Sequence, residues 1–215
     1  MRRSLCCALI ALAAMSGGCT HTAWTHRDFD ALRPLIDSVA FVSPRIEYFE
    51  KIGRRKHIDE DSAAVVSRSV GSAVMQIVEE RRLIRHSVSM TPVQYGDSIR
   101  ISGGDEMKCV MTPALRSAMQ NVHAKYFICV QGTAFTTPEK SKQNDLLQVI
   151  SFHLFFEEPL TYEYQWNGLR LELALVDAAT GDVLWYNRNA PDDSNYNPLD
   201  REQVESLCTK LCSGL

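Results

Sequence analysis

Apolar residues recur along this chain with two different periods, and the switch between them predicts the order of elements. Residues 38–43 (SVAFVS) form a compact, β-rich apolar run that predicts a first strand. Over residues 59–82, Val66, Val70, Val74 and Ile77 recur at helical spacing on one face. Asp59 or Asp61 caps the free N–H groups at the start of this helix. Glu60 joins them in suiting the positive end of its dipole, and Arg81, Arg82 and Arg85 suit the negative end. Ala63, Gly71 and Ala73 are small and predict a close approach of the helix to a sheet. Between these two elements, residues 51–57 (KIGRRKH) are basic and read as a solvated loop, with a contact to lipid headgroups or an acidic partner as the sharper alternative.

A short strand is expected over residues 88–93 and a loop at 102–105. Thr112 followed by Pro113 marks a helix start, and that helix runs to about residue 121. Residues 126–130, inside a strand spanning 125–136, are apolar without alternation. Such a run belongs to a strand covered on both faces and therefore central in its sheet. From 168 onward the period is two: Leu169, Leu171, Leu173 and Leu175 alternate with Arg170, Glu172 and Ala174. A turn at 177–182, with Gly181 where a positive φ is needed, sends the chain back along 182–188 as the second strand of a hairpin. Asp200 with Gln203 reads as a capping box. Val204, Leu207, Cys208, Leu211 and Cys212 then line one face of a closing helix. The order is β-α-β-α-β, an insert, then β-β-α. It predicts an α/β fold: a single three-layer-like sandwich with a mixed β-sheet, flanking helices and a C-terminal β-hairpin plus helix.

The insert, residues 145–166, crowds eleven large apolar residues together. Its first half fits a helix that Pro159 stops. It reads either as core or as an aromatic surface for self-assembly or a partner, with Phe155, Phe156, Tyr162 and Trp166 as the expected contact residues.

The first nineteen residues differ from all the others. Arg2 and Arg3 precede a charge-free apolar run at 5–15, then small residues, then Cys19. This is the make-up of a secretory signal, too short in its apolar part to span a bilayer. Residues 20–34 show little apolar periodicity and read as a tether, which at full stretch covers at most about 50 Å. The expected organisation is a signal peptide at 1–18, a lipidated N-terminus and tether at 19–35, and one domain at 36–215.

The 215 residues are 45% hydrophobic and 23% charged with a net charge of −3, the balance of a globular chain and not of a disordered one. Without residues 1–18 there are 23 − 2 = 21 basic against 26 acidic side chains, a balance of −5 with no reason to expect nucleic acid as a partner. Of seven cysteines, Cys6 and Cys7 leave with the signal. Cys109, Cys129, Cys208 and Cys212 remain beyond Cys19, and four cysteines allow three pairings. Cys129 reads as a buried core thiol, the other three as structural or paired. The six histidines contain no pair four apart. No helical zinc-protease, nucleophile-elbow, Walker or dinucleotide pattern occurs. No catalytic residue, metal ligand or cofactor is therefore expected; the alternative is a hydrolase whose site converges from distant positions, for example with His123 or His153 beside carboxylates.

Two resemblances add to this. Ser16-Gly17-Gly18-Cys19 resembles the lipobox of bacterial lipoproteins, with Ser16 where a leucine is usual. The resemblance implies cleavage before Cys19 and acylation of its thiol and amine, and Thr20 in place of aspartate implies the outer membrane. The strand–turn–strand of residues 171–187, with its Asp-x-x-Thr-Gly turn and following Trp185, resembles periplasmic lipoprotein domains of the CsgG N-terminal, LpoB and PelC families. That resemblance implies an outer-membrane-tethered, non-catalytic domain that binds envelope proteins or associates with itself.

Overall fold

The computed structural model describes residues 22–36, 38–52, 55–82, 86–88, 99–102, 107–138, 166–189 and 196–215. Among these, the strands are β1 Thr22–Thr25, β2 Val39–Val42, β3 Arg45–Ile52, β4 Arg55–Ile58, β5 His86–Val88, β6 Ile99–Ser102, β7 Lys108–Met111, β8 Tyr126–Thr136, β9 Asn167–Asp177 and β10 Val183–Arg188. The helices are α1 Phe29–Leu32, α2 Glu60–Glu80, α3 Pro113–Val122 and α4 Arg201–Leu211, with a 3₁₀ turn at Arg33–Leu35.

Eight strands form one mixed sheet, and β6 and β7 form a separate antiparallel pair. The sheet runs β1-β10-β9-β8, all antiparallel. Along the far side of β8, β2 pairs in parallel with its first half and β3 with its second. From Phe41 to Arg45 the chain takes four residue steps while β8 takes three, from Ile128 to Gln131. Ser43 and Pro44 thus bulge one long strand into β2 and β3. The central place expected for residues 125–136 is the one β8 holds, paired along its whole length with β9 and on its other side with β2 and β3 except at the bulge.

Two hydrophobic layers follow from the alternation of side chains. Val39, Phe41, Ile46, Tyr48, Ile128 and the four leucines of β9 face α2 and α4. Ala40, Val42, Phe127, Cys129, Ala174 and Val176 face α3 and β7. Helices on one side, sheet in the middle, and a helix with a hairpin on the other make the expected three-layer α/β sandwich. In β10 a register shift between Val183 and Trp185 breaks the alternation. It puts Leu184 and Trp185 together in the α2–α4 layer, with Val183 and Tyr186 in the other.

Local chemistry sets the boundaries. Asp59 caps α2 by accepting from the N–H groups of Asp61 and Ser62 at 3.0 and 3.1 Å and from the Ser62 hydroxyl at 2.7 Å. The Thr112 hydroxyl accepts from the Leu115 N–H at 3.3 Å to start α3. Asp200 accepts from the N–H groups of Glu202 and Gln203 to start α4, and Gln203 returns a bond to Asp200 at 3.0 Å. Gly71 lets α2 lie on the bulge: a Cβ there would stand 3.0 Å from Pro44 Cδ. Gly181 takes φ +77° in the β9–β10 turn, as the sequence requires.

Two readings need correction. The stretch taken as a tether is folded from Thr22 onward. Thr22 stands opposite Arg188 and Trp24 opposite Tyr186; Trp24 packs against the α3 layer, and Phe29 and Ile36 are buried in the other. The segment therefore wraps the sheet edge. The basic stretch 51–57 is not a plain loop either: Lys51 and Ile52 end β3, and Arg55, Lys56 and His57 belong to β4. The strand expected at 88–93 is seen as His86–Val88, and residues 89–98 lie outside the described residues.

Candidate functional site

The α3 side of the sheet is apolar only over half its length. Past Cys129 on β8 and Ala174 on β9 the same face carries Gln131, Thr133, Glu172 and Arg170, with Arg45 and Glu47 beside them on β3. These six side chains line a cleft of about 370 Å³. Gln131 Nε2 donates to Glu172 at 2.8 Å, and Arg45 stands 3.8 Å from Glu47. Two arginines and two glutamates in an open cleft suit docking of a polar surface, although exposed ion pairs are each worth only about 0–1 kcal/mol. Tyr186, buried at the cleft's inner border, has its phenol pushed up to about 12 by burial and by the Glu172 charge.

Beyond the cleft, β3 and β4 extend as a hairpin. Lys51 stands directly opposite Lys56, Glu50 opposite His57, Ile52 opposite Arg55 and Phe49 opposite Ile58. The Phe49 ring stacks on Phe135 of β8 at 5.5 Å, and the Lys56 ammonium sits 4.5 Å over the Phe49 ring. Ile52 and Ile58 are 49% and 73% exposed.

The four described cysteines are all buried and free. Cys129 is a core thiol, as expected. It lies in hydrogen-bonding contact with Cys109 from β7, which raises the Cys129 thiol well above its ordinary range, with burial adding to the rise, and lowers Cys109. Burial raises Cys208, and raises Cys212 to about 11. Among the described residues no group of three or more His, Cys, Asp or Glu side chains is placed to hold a metal ion, and no helix is long and apolar enough to cross a membrane.

Of the residues singled out from the sequence, Cys19, Phe155, Phe156 and Tyr162 lie outside the described residues. Trp166 is half-buried and immediately precedes Asn167, which stands opposite Thr136 at the end of β8. It therefore sits at the same end of the sheet as the β3–β4 hairpin. The cleft was missed because its charged residues alternate with core residues along β3 and β9 and read, one strand at a time, as a solvated face. Only the β3–β8–β9 register brings them side by side.

No family model matches this chain, and neither does any curated protein. Solved structures do resemble it. A PelC dodecamer from Paraburkholderia phytofirmans aligns with a TM-score of 0.44 and 12% identity, covering 90% of this chain and 94% of that one. A singly substituted PelC dodecamer from the same organism aligns with a TM-score of 0.40 and 12% identity, covering 83% and 87%. The LpoB C-terminal domain from Salmonella enterica aligns with a TM-score of 0.29 and 11% identity, covering 75% and 96%. Two of the three families named from the hairpin motif thus appear among the structures that resemble this chain.

Proposed function

We propose that this chain is a lipid-anchored protein of the bacterial outer membrane, with its domain facing the periplasm and acting as an adaptor or assembly factor through protein binding rather than catalysis. The spacing between anchor and fold carries this reading. Cys19 closes the signal-like segment, and Thr22, three residues later, already pairs with Arg188 at the sheet edge. Cleavage before Cys19 removes a charged, apolar leader and leaves every described element whole. Subcellular fractionation of a Cys19→Ser variant tests the anchor. The parent is expected in the membrane fraction and the variant as soluble protein or uncleaved precursor. Membrane retention of the variant at the parental level contradicts the reading.

The protein-binding part is supported by the mixed-charge cleft. The aromatic segment with Phe155, Phe156, Tyr162 and Trp166 is proposed as a further contact surface. Phe155→Asp or Phe156→Asp is expected to abolish partner capture with the circular dichroism spectrum unchanged. Unfolding of these variants instead assigns the residues to the core. A second reading, a homo-oligomeric export accessory, is favoured by the open sheet: among the described residues β1, β4 and β5 have each one paired neighbour. Sedimentation of the delipidated protein separates the two, since a single monomer mass at high concentration removes the second.

A further inference from the structure

The register across the sheet points the β3–β4 hairpin and the start of β1 toward the same end of the sheet. Thr22 stands opposite Arg188, Arg188 opposite Glu172, Glu172 opposite Gln131, and Gln131 opposite Arg45. From that common row, β1 leads back toward Cys19 in the same direction as β3 leads forward to Lys51 and Ile52. Three residues place Cys19 within about 10 Å of the row. Seven residues carry Ile52 about 23 Å past it, on the far side of a sheet about 19 Å across at this level. The right-handed twist of the sheet splays the two without reversing either.

Charge is segregated at the same end. Residues 45–58 hold five Lys and Arg against two Glu, a balance of +3 in a chain whose total is −3. The described cations nearest the tip, Lys51, Arg55 and Lys56, occupy adjacent rungs. Lys51 and Lys56 face each other directly, and the Lys56 ammonium lies over the Phe49 ring. Ile52, opposite Arg55, and Ile58, on the same face as Lys51 and Lys56, are half to three-quarters exposed and lie on the two opposite faces of the hairpin. The acids that begin α2 start only at Asp59, whose N–H donates to the Tyr48 carbonyl, one rung back from the Phe49–Ile58 pair.

We infer that the β3–β4 hairpin is a second membrane contact, in which Lys51, Arg55 and Lys56 engage anionic phospholipid headgroups while Ile52 and Ile58 enter the headgroup–acyl boundary. It rests on the lipid-anchor reading only for which end of the domain meets the bilayer. Basic groups near an anionic surface and apolar side chains at its boundary are the two recognised sources of such binding.

The test uses the mature-length chain, residues 19–215 with Cys19→Ser, which contains every described element, in co-flotation with vesicles. Binding is expected to vesicles of phosphatidylethanolamine with about a third phosphatidylglycerol, to weaken as salt shortens the Debye length to a few Å, and to be near background on phosphatidylcholine. At about fivefold per charge, the triple variant Lys51→Gln, Arg55→Gln, Lys56→Gln is expected to bind on the order of a hundredfold more weakly. Ile58→Ser is expected to weaken binding without changing its salt dependence. Equal binding to both kinds of vesicle, or an unweakened triple variant with an unchanged unfolding midpoint, overturns the proposal. Failure to bind any vesicle overturns it too, and leaves the hairpin to an acidic protein face. Acylation of Cys19 is read separately, by mass, so failure of the anchor and failure of the hairpin contact are distinguishable.

Discussion

The side-chain amide of Asn187, on β10, donates to the carbonyl of Leu211 at the end of α4 with an N···O distance of 2.8 Å, and both residues are buried. This bond satisfies a helix-end carbonyl that has no partner within the helix. It also ties the last helix to the strand preceding it. Asn187→Leu leaves that carbonyl buried and unpaired. The variant is expected to lose about 1–3 kcal/mol in urea unfolding with the slope unchanged. A loss well below this range places the amide in a solvated position.

Gly181 is the one residue of the β9–β10 turn that takes a left-handed conformation, and a Cβ there would stand 2.7 Å from the Cys109 carbonyl oxygen. Its own carbonyl accepts from the Cys109 N–H, so the turn and the β6–β7 hairpin hold each other. Gly181→Ala combines a conformational cost of about 1 kcal/mol with this collision. It is expected to lower the thermal midpoint and to raise amide exchange in β7 before it does so in β9.

Two carboxylates make stability fall in acid. Asp59 is held below its ordinary range by hydrogen bonds from the Ser62 hydroxyl and N–H. Asp182 is held below it by the Lys108 ammonium, with help from the Thr180 hydroxyl. For both, the folded chain binds a proton less readily than the unfolded one. Their contribution is complete above the ordinary carboxylate pKa of about 4 and is lost as pH falls through the lower folded values. The urea midpoint is expected to stay level from about pH 7 to 5 and to drop below about 4. The drop is expected to be shallower in Asp59→Asn and in Asp182→Asn.

Cys208 and Cys212 share the buried face of α4, and burial raises both thiols. Thiolate is the reactive form, so neither is expected to react with iodoacetamide near neutral pH in folded, freshly reduced protein. Cys109 and Cys129, equally buried, are expected to react only as the fold opens. Mass measurement along a urea series is expected to show the labels on these four cysteines appearing with the unfolding transition. Labelling of Cys208 or Cys212 in native protein contradicts the buried placement.

The elements legible in the sequence are those whose burial pattern has one dominant period. Val66, Val70 and Val74 revealed α2, the uninterrupted run at 126–130 revealed the central strand, and the leucines of β9 revealed the hairpin. Legibility failed where pairing runs through the backbone. Thr22–Thr25 has no apolar period, because β1 lies at the edge and adds to the sheet by main-chain bonds to β10. The β3–β4 hairpin was hidden by its cations. Ile46 and Tyr48, buried and alternating with Arg45 and Glu47, were the signal that could have found its first strand. The bulge at Leu184 and the cleft on β3, β8 and β9 depend on register between distant segments, which no local pattern encodes.

What residue 19 carries determines the compartment, the orientation and the surface that meets the membrane. Mass spectrometry of the N-terminal peptide from protein isolated from membranes measures it directly. The expected peptide begins at Cys19 and bears a thioether-linked diacylglycerol, with or without an amide-linked third chain. A peptide that begins elsewhere, or a Cys19 without acyl chains, contradicts the account.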